Sequence, residues 1–129
     1  MKLAAKLFAS ALFVAASATA YASPEALKAL DPDNDGTIDL AEALAGAKAK
    51  FAKLDPDKDG TLDAKELTGI LDEAALKAAD PDNDGTLDQK EYDAVVEAKF
   101  KAANPDDDKT VDASELASPA GQELQKLIY

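Results

Sequence analysis

DPDNDGTIDLAE, residues 31–42, recurs as DPDKDGTLDAKE at 55–66, as DPDNDGTLDQKE at 80–91 and, altered, as NPDDDKTVDASE at 104–115. Each copy sets side-chain oxygens at positions 1, 3, 5, 9 and 12 of a twelve-residue stretch, and the first three place Gly at position 6. Acidic side chains on alternate residues, a glycine turn and a terminal Glu are what wrap one hard cation in oxygen. One such stretch arises by chance; three in register with a fourth close behind do not.

The spacing is that of the EF-hand loop, and it names candidate metal ligands directly. They are Asp31, Asp33, Asp35, Thr37, Asp39 and Glu42 in the first loop, and Asp55, Asp57, Asp59, Thr61, Asp63 and Glu66 in the second. The third offers Asp80, Asp82, Asp84, Thr86, Asp88 and Glu91, the fourth Asn104, Asp106, Asp108, Thr110, Asp112 and Glu115. The Thr residues would contribute backbone carbonyls, and the position-12 Glu can bind through both oxygens. Every available side-chain ligand is oxygen, so the cation is hard; calcium fits better than the smaller magnesium.

Only 12, 13 and 12 residues separate successive loops, room for one helix that leaves one loop and enters the next. The spacing predicts a face of Leu40, Leu44, Ala47, Phe51 and Leu54 in the first segment. Leu67, Leu71, Ala74 and Ala78, with Ile70 alongside, should form the second; Tyr92, Val95, Val96 and Phe100 form the third. The expected fold is all-α, a compact three-helix core with four EF-hand loops joined by short shared helices. Loops adjacent in sequence then sit at opposite helix ends and should not pair. Ser23-Pro24 and Ser118-Pro119 read as helix starts, with Leu27, Leu30, Leu124, Leu127 and Ile128 as further core contacts. Ile38, Leu62, Leu87 and Val111, at position 8, should pack and form short β-bridges between loops.

Residues 1–22 read as an export signal, with Lys2 and Lys6 before the apolar Leu7–Ala18 and a small-x-small site at Ala20-Tyr21-Ala22. Residues 23–129 then form one metal-binding domain in the periplasm. Without Lys2 and Lys6, 12 basic residues face 26 acidic ones, a net charge of −14. Nucleic acid and anionic membrane are excluded as partners by that charge. Nineteen of the 26 acids stand at ligand positions, so the charge is organised into cation sites. With no Cys and no His, zinc, copper and haem chemistry and the usual nucleophile–base pairs are missing. The chain reads as a binding protein, not an enzyme.

Two features depart from an ordinary calcium loop. Asp at position 9 gives each of the first three loops five carboxylates. The attraction of each for the ion is about 1.5-fold larger for a trivalent than for a divalent cation at equal distance. An acidic position 9 that merely strengthens calcium binding is the competing reading. Pro fills position 2 throughout (Pro32, Pro56, Pro81, Pro105), as a helix stop or as a stiffener of the empty loop. The fourth loop is weaker: Asn104 removes a charge, and Lys109 replaces the turn glycine at about 1 kcal/mol.

Export signal, short loop spacing, Pro at position 2 and Asp at position 9 together resemble the lanmodulin family of periplasmic lanthanide-binding proteins. The resemblance implies selective binding of three to four lanthanide(III) ions per chain and an apo state that compacts on binding. It also implies a role beside lanthanide-dependent methanol dehydrogenases or an uptake system. Charge supports the folding switch separately: three trivalent ions bring −14 to about −5 and tie helices together, so binding energy becomes folding energy. The alternative is an exported calcium-binding buffer. A calcium sensor would want a Met-rich groove, and the only Met is Met1.

Overall fold

The computed structural model of the protein describes residues 24–129; the expected export segment and the Ser23 cap lie outside the described residues. In chain order the helices are α1 (Pro24–Leu30), α2 (Leu40–Leu54), α3 (Glu73–Ala79), α4 (Gln89–Ala103), α5 (Ala113–Leu116) and α6 (Pro119–Ile128). Strands β1 (Thr37–Asp39), β2 (Thr61–Leu62), β3 (Leu87–Asp88) and β4 (Thr110–Asp112) lie inside the loops. The fold is all-α. None of the described helices is long and apolar enough to cross a membrane.

The loops themselves start and stop the long helices. Asp39 Oδ1 accepts from the Glu42 N–H at 2.8 Å, while the Asp39 N–H donates to Glu42 Oε2 at 2.9 Å. This reciprocal box satisfies donors that a helix start leaves open, and α2 begins there. Asp88 and Glu91 do the same for α4. At the other end, Pro56 and Pro105 follow residues held outside the helical region, Asp55 at φ −106°, ψ 76° and Asn104 at φ −114°, ψ 76°. Position-2 proline therefore acts as a helix stop by restricting the residue before it.

A three-helix core is present, and its members are α2, α4 and α6. Tyr92, Val96 and Phe100 of α4 meet Ala43, Ala47 and Phe51 of α2 and Leu124, Leu127 and Ile128 of α6 in one buried cluster. The Phe51 and Tyr92 rings meet edge to face, centroids 5.6 Å apart, an arrangement worth about 1 kcal/mol beyond area burial. Gly46 lets α2 approach its neighbours closely: a Cβ there would lie 2.6 Å from Leu30 Cδ2 and 2.7 Å from the Ile128 carbonyl oxygen. The α2 face is the expected one at Leu44, Ala47, Phe51 and Leu54, and departs from it at the first turn. Leu40, the first residue of the helix, is exposed, and Ala43, four residues before Ala47, is buried in its place.

The middle segment also departs from expectation. Instead of one shared helix, residues 64–70 form successive turns, and α3 begins anew after its cap Asp72, whose side chain accepts from the Ala75 N–H at 2.7 Å. The break falls at Gly69, which adopts φ 79°, a conformation glycine reaches without a Cβ penalty. The phase is reset, so Leu67 and Leu76 are buried while Ala74 and Ala78 face solvent.

This break decides how the loops pair. β2 and β3 are antiparallel, Leu62 opposite Leu87, so the second and third loops are partners although they are sequence neighbours. The expectation against neighbour pairing fails there because the connection folds back. It holds for the other neighbours, which are separated by the unbroken 15-residue helices α2 and α4, each about 22 Å long. The first loop instead pairs with the fourth, Ile38 opposite Val111. All four position-8 residues are fully buried, as expected.

Candidate metal centres

Among the described residues, three acidic centres are built alike. Carboxylate oxygens of Asp31, Asp33 and Glu42 lie within 4.8 Å of one another, as do those of Asp55, Asp57 and Glu66 and of Asp80, Asp82 and Glu91. Positions 1, 3 and 12 thus converge in each of the first three loops. Position 1 is the buried wall: Asp31, Asp55 and Asp80 are 5–7% exposed. Asp31 Oδ1 accepts from the Asp35 N–H at 3.1 Å and Oδ2 from the Gly36 N–H at 2.9 Å. Asp55 and Asp80 repeat both bonds.

The remaining expected ligands face backbone donors instead. Asp35 Oδ1 accepts from both the N–H and the hydroxyl of Thr37, at 2.8 and 2.7 Å. Asp59 with Thr61, Asp84 with Thr86 and Asp108 with Thr110 do likewise. Position 9 carries a role that the ligand pattern alone did not reveal. Asp39, Asp63, Asp88 and Asp112 each accept from the N–H of the Glu three residues on. The spacing D-x-x-E was the available signal for it. Position 4 is another omission: Asn34, Lys58, Asn83 and Asp107 all adopt φ of 57–59°, a left-handed turn that Asn and Asp tolerate best.

Crowding of carboxylates shapes their proton affinities. Burial opposes ionisation of Asp31, but the Gly36 N–H, the Asp33 side chain and the Asp35 N–H outweigh it and hold its pKa low. Asp33 is pushed up, first by its contact with the Asp31 carboxyl. Asp80 and Asp82 divide in the same way. Glu42 is raised by burial, against the Asp39 N–H, and then by the charges of Asp33, Asp39 and Asp31. The crowding that makes Asp33, Asp82 and Glu42 reluctant to ionise is relieved by a bound cation.

The fourth loop keeps the frame and loses the position-1 carboxylate. Asp112 and Glu115 form the same reciprocal box, and Lys109 occupies the turn at φ 78°, where the other loops have Gly36, Gly60 and Gly85 at φ 84–87°. Asn104 is as buried as its Asp counterparts, at 6% exposed. Its Oδ1 is enclosed and accepts no hydrogen bond.

The EF hand family model matches residues 48–71 and 71–96, spans that take in the second and third loops. Lanmodulin from Methylorubrum extorquens (strain ATCC 14718 / DSM 1338 / JCM 2805 / NCIMB 9133 / AM1) is 65% identical over 72 residues, 50% of this chain and 54% of that protein. Over these stretches the chain is similar to lanmodulin and to the EF hand. The match spans about half the length of that curated relative. Its acidic centres are oxygen-only, the donor set of a hard cation.

Proposed function

We propose that this chain is an exported binder of trivalent lanthanide ions, selective over calcium, that folds around its cargo and serves lanthanide handling in the periplasm. The observation that carries the reading is the convergence of three carboxylates in each of three loops, with two more at positions 5 and 9 of the same loops. Five carboxylates favour a trivalent over a divalent ion more than four or three do. The ligands are those of the loop pattern, closed by Glu42, Glu66 and Glu91. Residues 1–22 are the export signal and residues 23–129 the metal-binding domain. The protein performs no catalysis. It delivers or holds lanthanide for a lanthanide-dependent methanol dehydrogenase or an uptake system, roles that the family resemblance supports.

Metal-coupled folding follows from the same arrangement. The long helices are capped by loop residues, so an ion that draws Asp39 and Glu42 together also fixes the start of α2. The test is far-UV circular dichroism of the metal-stripped protein, titrated with buffered lanthanum and separately with calcium. Helix gained at lanthanum concentrations orders of magnitude below those needed for calcium is the expected result. Equal ranges would sink the selectivity, and an apo spectrum already matching the loaded one would sink the folding switch.

One observation favours the alternative, an exported calcium buffer. Position-9 Asp accepts the N–H of the loop's last Glu in every loop and caps a helix in three of them, which gives it a use independent of cation charge. The same titration separates the two.

A further inference from the structure

We propose that the fourth loop is a divalent-cation site of calcium type, so that the loaded protein is a mixed-metal species. It would hold trivalent ions in the first three loops and a divalent ion in the fourth; this rests on the trivalent reading of those three loops. Asn104 heads the fourth loop with nearly the backbone of Asp55 and Asp80, φ −114° against −106° and −109°. It is 94% buried, and its Oδ1 is enclosed without a donor. In the other loops the position-1 oxygens are held by the N–H groups of positions 5 and 6. Here the Asp108 N–H keeps only the bond to Asp106 Oδ1, at 3.3 Å, that its counterparts also make to position 3, and Asn104 Oδ1 receives none. A buried amide oxygen left without a donor at the head of an acidic loop calls for a ligand, and an amide carbonyl is an ordinary calcium ligand.

The class of cation follows from the count of charges. Asp106, Asp108, Asp112 and Glu115 supply four carboxylates where the other loops supply five. Lys109 and Asp107, flanking Asp108, offset each other, so the comparison rests on the ligands. The advantage of a third positive charge grows with the number of carboxylates facing it. The fourth loop therefore discriminates least between trivalent and divalent ions, and where calcium is in great excess it is the loop calcium keeps.

The test is metal analysis of the full chain after dialysis against buffered lanthanum in millimolar calcium. Three lanthanum ions and one calcium per chain are expected. Asn104→Ala should weaken that calcium about tenfold, the loss of one good ligand. Asn104→Asp, which keeps the shape and restores the fifth carboxylate, should exchange the calcium for a fourth lanthanum. Three lanthanum ions with no calcium, or four lanthanum ions in the unaltered chain, would overturn the proposal. Calcium replacing lanthanum in the first three loops would overturn it through the failure of the trivalent reading, and the metal ratio tells that case apart.

Discussion

The Tyr92 hydroxyl donates to the Leu127 carbonyl at 2.7 Å, inside the core and one residue past the position-12 Glu of the third loop. The last residue of a metal loop is thereby followed by a direct tie to the C-terminal helix α6. Tyr92→Phe keeps the ring against Phe51 and strands a buried carbonyl, which costs about 1–3 kcal/mol. Chemical denaturation of the lanthanum-loaded protein should show that loss, with the midpoint lowered and the denaturant slope unchanged.

The same residue makes a pH prediction. Burial, and then the charge of Asp93, push the Tyr92 phenol well above its ordinary range. The folded state prefers the neutral phenol, so the contribution of this group to stability is full below about pH 10 and is lost as pH rises through the folded value. In alkaline titration the phenolate absorbance that Tyr92→Phe removes should emerge only together with the loss of helix. Its appearance in fully helical protein would refute the assignment.

Position 9 combines a cap with a charge, and two substitutions separate them. Asp88→Asn retains a good cap and removes one of five carboxylates, so α4 should melt within a few tenths of a kcal/mol of the parent. Its preference for lanthanum over calcium in the third loop should nevertheless fall roughly tenfold or more. Asp88→Ala removes both and should cost about 1 kcal/mol of stability in addition. Competition titrations read the first effect and thermal melts the second.

Lys109 holds a left-handed turn at φ 78° that its three counterparts fill with glycine. Lys109→Gly should stabilise the loaded protein by about 1 kcal/mol, visible as a rise in melting temperature. A fall would mean that the lysine side chain contributes more than its backbone strain removes.

Gly46 presents the opposite case. Alanine is intrinsically better in a helix by about 1 kcal/mol, yet its Cβ would press on the Ile128 carbonyl oxygen at 2.7 Å. Leu30 can shift its Cδ2, whereas the backbone of α6 moves only with the helix. Gly46→Ala should therefore destabilise on balance by about 1–2 kcal/mol, measured by the same denaturation.

The loops, the buried position-8 residues and the Ser118 cap were legible in the sequence because each depends on residues close together in the chain. Ser118 Oγ does accept the Gly121 N–H at 3.0 Å. The break between the second and third loops was obscured by a run of Leu and Ala spaced as one helical face from Leu67 to Ala78. Gly69 and Asp72 were the local signals that outweighed it. The position of α6 as third core helix, and the pairing of loops, depend on contacts between distant segments that periodicity does not encode. Convergence of positions 1, 3 and 12 could be inferred from the spacing; the diversion of position 5 to threonine required the local hydrogen-bond geometry.

Loop pairing is nested: Leu62 meets Leu87 across 25 residues, and Ile38 meets Val111 across 73. Chain-closure entropy rises with the logarithm of the span, so the outer bridge is costlier to close by about 1 kcal/mol. Assembly is expected to run from the inside outward, with the second and third loops meeting first. Stopped-flow refolding should then show Leu62→Ala slowing folding more than Ile38→Ala for equal loss of stability.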